Sequence, residues 1–296
     1  MQIHTIDLDF RETPHAIAAY LAIGRRGPVL FETGPASAVD TMQARLAEHG
    51  YSPSDIRHIF VTHIHLDHAG ATGWWAQQGA QIYVHPNGAK HLIDPSKLLD
   101  SAERIYGDMM QELWGQTKPT PQDSVTVIED GEEVQVEGLN ITAIDTPGHA
   151  YHHHTFRLGN VGFTGDASGN KMPGCDFVTL PTPPPQFNLE AWHMTLSRLL
   201  KEDFAAIYPT HFGAIENVQE HLEDLTSILS QTAEFVRGMM QAKVGRRTMI
   251  DEFMNWNRKR ALTIGLSEQE IRKFEISNPM SMSVDGLIRY WTKNGV

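Results

Sequence analysis

Residues 62–70 read Thr-His-Ile-His-Leu-Asp-His-Ala-Gly, and no other segment restricts the chain as tightly. His63, His65, Asp67 and His68 fall within six residues. Imidazole and carboxylate are the ligands that borderline divalent cations such as zinc accept. The preceding residues 57–62 (Arg-His-Ile-Phe-Val-Thr) are rich in β-formers and predict a strand, so the histidines fall where a strand ends and the chain loosens into a loop. Ala69-Gly70-Ala71-Thr72-Gly73 then allows a tight turn into an amphipathic segment around Trp74 to Gln78, which would hold the loop between two rigid elements.

One motif cannot saturate two metals, and three further segments repeat its plan. Residues 139–145 (Leu-Asn-Ile-Thr-Ala-Ile-Asp) run into Thr146-Pro147-Gly148-His149. Residues 161–165 (Val-Gly-Phe-Thr-Gly) lead to Asp166, and residues 205–210 (Ala-Ala-Ile-Tyr-Pro-Thr) lead to His211. Each is a hydrophobic run, a small or turn-forming residue, then a ligand-type side chain. Such recurrence is expected when several strands deliver ligands to one edge of a sheet.

This set resembles the metallo-β-lactamase-fold hydrolase superfamily, whose pattern is His-x-His-x-Asp-His, a histidine in Thr-Pro-Gly-His, an aspartate after Thr-Gly, and a final histidine. The resemblance covers roughly residues 1–215 and fills all seven positions. It implies an α/β fold, the αββα four-layer sandwich, with His63, His65 and His149 on one divalent metal, Asp67, His68 and His211 on a second, and Asp166 bridging. Zinc is the first expectation, with iron or manganese as alternatives. Two features depart from the family: Glu32-Thr33-Gly34 has glutamate where aspartate is usual, and His152, His153 and His154 alter the Gly-His that follows Thr-Pro-Gly-His in relatives. Supporting or structural roles are expected for those three histidines ahead of direct ligation. His85, His91, His193 and His221 are expected as surface or core residues, His85 being the best placed of them to reach a pocket.

Composition narrows the class. At 296 residues the chain can bury a large core. A formal net charge of −12 argues against nucleic-acid or anionic-membrane binding, which needs clustered cations. Lys243, Arg246, Arg247, Arg258, Lys259 and Arg260 cluster in sequence and are read as a solvated helix face. The single cysteine, Cys175, excludes an internal disulfide framework and is read as an inert loop thiol. The apolar stretch from Ala16 to Ile23 is short and follows Asp7, Asp9, Arg11 and Glu12, unlike a secretory signal, so a cytoplasmic protein is expected.

The expected organisation is a catalytic domain over residues 1–215 and a helical C-terminal extension over 216–296 packed on it. The first part holds a strand pair within about residues 2–33, a helix with Ala38, Met42 and Leu46 on one face, and a helical insertion over residues 88–116. The proline-rich segment Lys171 to Gln186 is expected to form a semi-rigid loop over the site. The tail is expected to begin with a long amphipathic helix through Val218, Leu222, Leu225 and Leu229, followed by helices at Thr248 to Ile264 and Ser267 to Phe274.

The resemblance implies hydrolysis by a metal-bridging hydroxide of a small ester-like substrate (lactone, ester or thioester), with Asp67 as catalytic proton carrier. Retention of Asp166 disfavours a β-lactam, and Gly169, where acyl-homoserine-lactone hydrolases often carry tyrosine, weakens that lactonase reading. The alternative is a mononuclear iron persulfide dioxygenase, and behind it a non-catalytic metal-binding protein. The expected partner is a small molecule, with no nucleic acid and no membrane, and a homodimer is the assembly considered.

Overall fold

The computed structural model describes residues 2–296. Two sheets form the centre. The first runs β1 (Gln2–Asp7), β2 (Ala18–Ile23), β3 (Pro28–Phe31), β4 (His58–Phe60), β5 (Gln81–Val84) and β6 (Val125–Val127) in spatial order, antiparallel to β3 and parallel beyond it. The second is ordered β11 (Ala206–Pro209), β10 (Val161–Gly165), β9 (His154–Leu158), β8 (Leu139–Asp145) and β7 (Glu133–Val136). The expected strand pair near the N-terminus is therefore three strands, because Gly24 to Gly27 close a turn inside what reads as one apolar run. The strand expected over 57–62 is shorter, ending at Phe60.

Strand alternation explains the layering. In β2, Ala18, Tyr20 and Ala22 face the space between the sheets, while Ala19 and Leu21 face the opposite side. Both faces are apolar, as a sheet covered on both sides requires. The inner layer is aromatic: Phe31 stacks on Phe163 with centroids 3.6 Å apart, joining the two sheets, and Phe60 packs on Tyr83 at 4.4 Å. Outside the first sheet lie α1 (Val39–Glu48), α2 (Leu66–Ala69), α3 (Thr72–Gln77), α4 (Pro86–Ile93), α5 (Ser96–Tyr106) and α6 (Met110–Trp114). Outside the second lie α7 (Leu189–Leu199), α8 (Val218–Gln241), α9 (Arg246–Thr263) and α11 (Met280–Lys293), with α10 (Glu268–Ser277) between α9 and α11. This is the expected αββα sandwich with C-terminal helices.

Three local expectations change. The insertion is three helices, broken where Pro95 follows Asp94 and where Gly107 takes a positive φ of 50°. Asp67 and His68 sit on the one-turn helix α2 and not in open loop. The last helix, α11, lies inside the expected helical extension but has no bounds in the sequence reading, although Met280, Val284, Leu287 and Tyr290 mark its buried face at helical spacing. The capping box at Ser267 and Glu270 forms as expected and starts α10. The basic cluster is solvated as expected at Lys243, Arg246, Arg247, Arg258 and Lys259, with Arg246 forked onto Asp285 at 2.5 and 2.6 Å and Arg258 paired with Glu268, whereas Arg260 is half-buried against the rings of Phe177 and Trp256. Among the described residues no helix is long and apolar enough to cross a membrane.

Candidate metal centre

The seven residues singled out in the sequence meet at one edge of the two sheets. His63 and His65 follow β4, Asp67 and His68 ride on α2, His149 follows β8, Asp166 follows β10, and His211 follows β11. The donor atoms of His63, His65 and His149 form one group and those of Asp67, His68 and His211 another, each lying within 4.8 Å of one another. In the first, His65 Nδ1 lies 2.9 Å from both His63 Nε2 and His149 Nε2. In the second, Asp67 Oδ2 lies 3.4 Å from His211 Nε2 and 3.5 Å from His68 Nε2. Asp166 stands between them, with Oδ2 3.2 Å from His149 Nε2 and Oδ1 3.4 Å from both His68 Nε2 and His211 Nε2.

What lies behind these rings decides where their protons sit. His149 Nδ1 donates to the Pro181 carbonyl at 2.8 Å, and His211 Nδ1 to the Ala16 carbonyl at 2.7 Å. His68 Nδ1 donates to Glu32 Oε1 at 3.1 Å, and His63 Nδ1 to Thr62 Oγ1 at 3.1 Å. With the proton held on Nδ1, each Nε2 presents a lone pair to the centre. Bare nitrogens packed against each other and against carboxylates fit a cation between them. His68 Nε2 and Asp166 Oδ1 fit it also: both are buried and have no hydrogen-bond partner among the described residues.

Electrostatics divides the centre. Burial, and then the neighbouring imidazoles led by His68, hold His63 well below the ordinary histidine pKa, so it stays neutral. At His68 burial opposes charge, but Asp67, Asp166 and Glu32 together outweigh it and raise its pKa well above the ordinary value. Burial alone would raise Asp166, yet His68, His149 and His211 hold it below the carboxylate range. The Asp67 side therefore draws positive charge, and the three-histidine side supplies neutral donors.

Glu32 is the residue whose importance sequence reasoning understated. It is buried, has a φ of 67°, and its carboxylate accepts from Thr62 N, Thr62 Oγ1 and Thr210 Oγ1 as well as from His68. One carboxylate thus ties the ends of β3, β4 and β11 behind the centre. Gly165 explains its own identity: a Cβ there would lie 2.3 Å from Thr62 Oγ1 and 2.7 Å from His153 Nε2.

The three extra histidines separate. His153 accepts the backbone N–H of Asp166 on Nε2 at 3.2 Å and donates from Nδ1 to Thr146 Oγ1 at 2.8 Å, which orients Asp166. His152 is buried beside His63 and His65, and neither nitrogen has a partner among the described residues. His154 and His85 both reach Asp145 Oδ1, at 2.8 and 3.2 Å. His85 Nδ1 accepts the Asn87 N–H, so its Nε2 carries the proton and acts as a donor to Asp145. That trio is a hydrogen-bonded clasp on Asp145, with donor atoms within 4.8 Å of one another, and it leaves His154 Nδ1 buried without a partner among the described residues. His221 is buried and donates to the Ser168 carbonyl at 2.8 Å, while His91 lines the cavity and His193 meets Ser230. Cys175 is half-buried against the Met172 carbonyl, and burial raises its thiol pKa, which suits the inert role.

A cavity of about 580 Å³ opens above the centre, with His65, Asp67, His149, Asp166 and His211 in its floor. The loop from Lys171 to Gln186 does reach it, through Pro181, Pro183, Pro184 and Pro185. The same loop also supplies the Pro181 carbonyl behind His149. Tyr106 was not picked out from sequence. Its ring is fixed edge-on to Trp114 at 5.1 Å, and among the described residues its hydroxyl has only the Met282 thioether as acceptor, at 3.5 Å. Burial and the charge of Asp67 raise the phenol's pKa, so it remains a donor.

Known proteins carry the same architecture. A metallo-beta-lactamase family protein from Thermus thermophilus superposes with a TM-score of 0.70 at 21% identity, covering 99% of this chain and 94% of its own, a likeness in fold. A metallo-beta-lactamase fold-containing protein from Sulfurisphaera tokodaii is 28% identical over 231 residues, 76% of this chain and 84% of that protein. An atrochrysone carboxyl ACP thioesterase from Aspergillus fumigatus is 26% identical over 65% of this chain, which spans only 37% of that relative's length. The profile of the metallo-beta-lactamase superfamily matches residues 13–211, from just before β2 to the last histidine of the centre, and the chain belongs to that superfamily.

Proposed function

We propose that the protein is a metal-dependent hydrolase of a small ester-like substrate (an ester, lactone or thioester) and that its centre takes two divalent cations, zinc first. His63, His65 and His149 would hold one, Asp67, His68 and His211 the other, and Asp166 both. The observation that carries this reading is the position of Asp166, whose two oxygens face the two donor groups at 3.2 and 3.4 Å. A pair of divalent cations, when bound, acidifies a shared water and polarises a carbonyl. The Asp67 carboxylate oxygen left free of the cation accepts the proton of the attacking water and returns it to the leaving oxygen or sulfur as the acyl bond breaks. The Tyr106 hydroxyl donates to the substrate from the wall. Relatives named as thioesterases support hydrolysis of this general kind, and a net charge of −12 favours a small-molecule partner over nucleic acid.

Metal analysis joined to an activity panel tests the reading. Two metals per chain with hydrolysis of an ester, lactone or thioester is the expected result. One iron per chain with oxygen uptake on a persulfide would overturn it in favour of a dioxygenase. A fully loaded protein inert toward the whole panel would leave a metal-binding protein without this activity.

A further inference from the structure

The cavity walls carry an inference about the substrate that rests on the hydrolase reading. The metal floor occupies one end of a space of about 580 Å³, well inside the range that encloses a drug-sized molecule. A two-carbon acyl group would leave most of it to water. The walls come from two stretches outside the two central sheets: α5 and α6 on one side, and the end of α10 with the start of α11 on the other. They present Leu98, Ile105, Met109, Trp114, Ile276 and Met282. Ile105, Met109 and Tyr151 are 46%, 38% and 45% exposed, so large apolar surface stands open along this cavity.

The charged groups of the walls are already engaged or face solvent. Arg11 pairs with Glu112 at 3.4 Å, the Glu275 carboxylate accepts the Met280 N–H at 3.3 Å, and Lys97 is exposed on the first turn of α5. Among the described residues no ionised wall side chain is fully buried, and the wall's buried polar atoms without partners, Trp114 Nε1 and Gln186 Oε1, are neutral. We infer that the substrate joins a large apolar group, alkyl or aryl, to the scissile carbonyl, and that these two helical stretches are built to hold that group while the carbonyl meets the floor.

Two homologous series read this directly on the metal-loaded protein. One lengthens the acyl chain of p-nitrophenyl esters from acetate to decanoate. The other lengthens the thiol of acetyl thioesters, so the pair shows on which side of the bond the apolar group lies. In at least one series kcat/KM is expected to climb by up to about fourfold per methylene, as burial of a CH₂ allows. A third measurement needs no turnover: the rise in melting temperature caused by straight-chain carboxylates should grow from acetate to decanoate. Ala102→Phe and, separately, Ser101→Phe fill the α5 side of the cavity, and either folded variant should lose the chain-length gain while still cleaving acetate.

Turnover of short substrates that stays flat in both series would overturn this inference and leave the hydrolase reading standing. Chain-dependent binding of carboxylates with no turnover at all would uphold the apolar site and overturn the hydrolase reading. Flat binding and no turnover would overturn both.

Discussion

At the floor of the cavity four imidazoles are tied from behind, His63 by Thr62, His68 by Glu32, His149 by the Pro181 carbonyl and His211 by the Ala16 carbonyl. The walls above are built differently: Trp114 is held by packing, Ile105 and Met109 are partly exposed, and the Tyr106 hydroxyl bonds a thioether. The floor spends hydrogen bonds on fixing direction, because a metal ligand must aim a lone pair within narrow limits. An apolar wall needs only shape and area. Substitutions in the floor should therefore act on metal and rate, and substitutions in the walls on substrate choice.

The largest effect is expected at Asp166, because one carboxylate serves both donor groups. Asp166→Ala should strip one or both metals and nearly all activity; retention of two metals with near-normal turnover would falsify the shared role. Asp67→Asn keeps shape and removes the proton acceptor. In protein reconstituted to full metal content it should lower kcat by on the order of 10²-fold or more, and full activity in that state would reject proton transfer by Asp67.

Glu32→Gln asks whether the groups behind the ligands matter as the comparison claims. Glutamine offers one acceptor oxygen where Glu32 uses two for Thr62, Thr210 and His68. Metal affinity should fall roughly 10- to 100-fold, and a competition titration with a chelator would detect an unchanged constant.

Gly286→Ala probes the comparison from the far side. A Cβ at Gly286, on α11, would lie 1.8 Å from the Thr182 carbonyl oxygen. Thr182 Oγ1 also donates to the Ser283 carbonyl, and Ser283 Oγ donates to the Leu180 carbonyl, so α11 braces the loop that places Pro181 behind His149. The variant should lose about 1–3 kcal/mol of stability and bind metal more weakly, although residue 286 touches no ligand. Lower stability with unaltered metal affinity would show that the brace stops at the loop.

The smallest effect is expected at His221, which holds the Ser168 carbonyl just past Asp166. Burial lowers its pKa from 6.5 to about 4. The unfolded chain takes up this proton near the ordinary value and the folded chain does not until about pH 4. The neutral form therefore contributes fully above pH 6.5, and its contribution is lost as pH falls toward 4. His221→Gln should flatten the fall of melting temperature between about pH 7 and 4.5; a slope equal to that of the parent protein would reject the assignment.

Much of the floor was readable because its signals are local. A strand, a small or turn-forming residue and a ligand-type side chain sit side by side at His63, His149, Asp166 and His211, and the continuous apolar runs of β2 and β3 match a sheet covered on both faces. The three strands near the N-terminus were compressed into a pair because the Gly24–Gly27 turn is short and the flanking residues are uniformly apolar. Helix α11 has no bounds in the sequence reading although its apolar spacing is regular. Pro279 directly precedes its first turn, where a fixed φ suits a helix start.

The sequence by itself determined which residues can bind metal and that strand ends would present them, since ligand chemistry and strand period are properties of neighbouring residues. Only the tertiary structure decided which nitrogen of each ring faces the centre. His211 and the Ala16 carbonyl are 195 residues apart, His68 and Glu32 are 36, and no local pattern encodes such pairs. It likewise decided that His153 would orient Asp166, that His85 and His154 would close on Asp145, and that helices from two distant stretches would meet as one apolar wall. Side-chain type is written residue by residue, but the direction of a lone pair and the shape of a cavity exist only once the layers have packed.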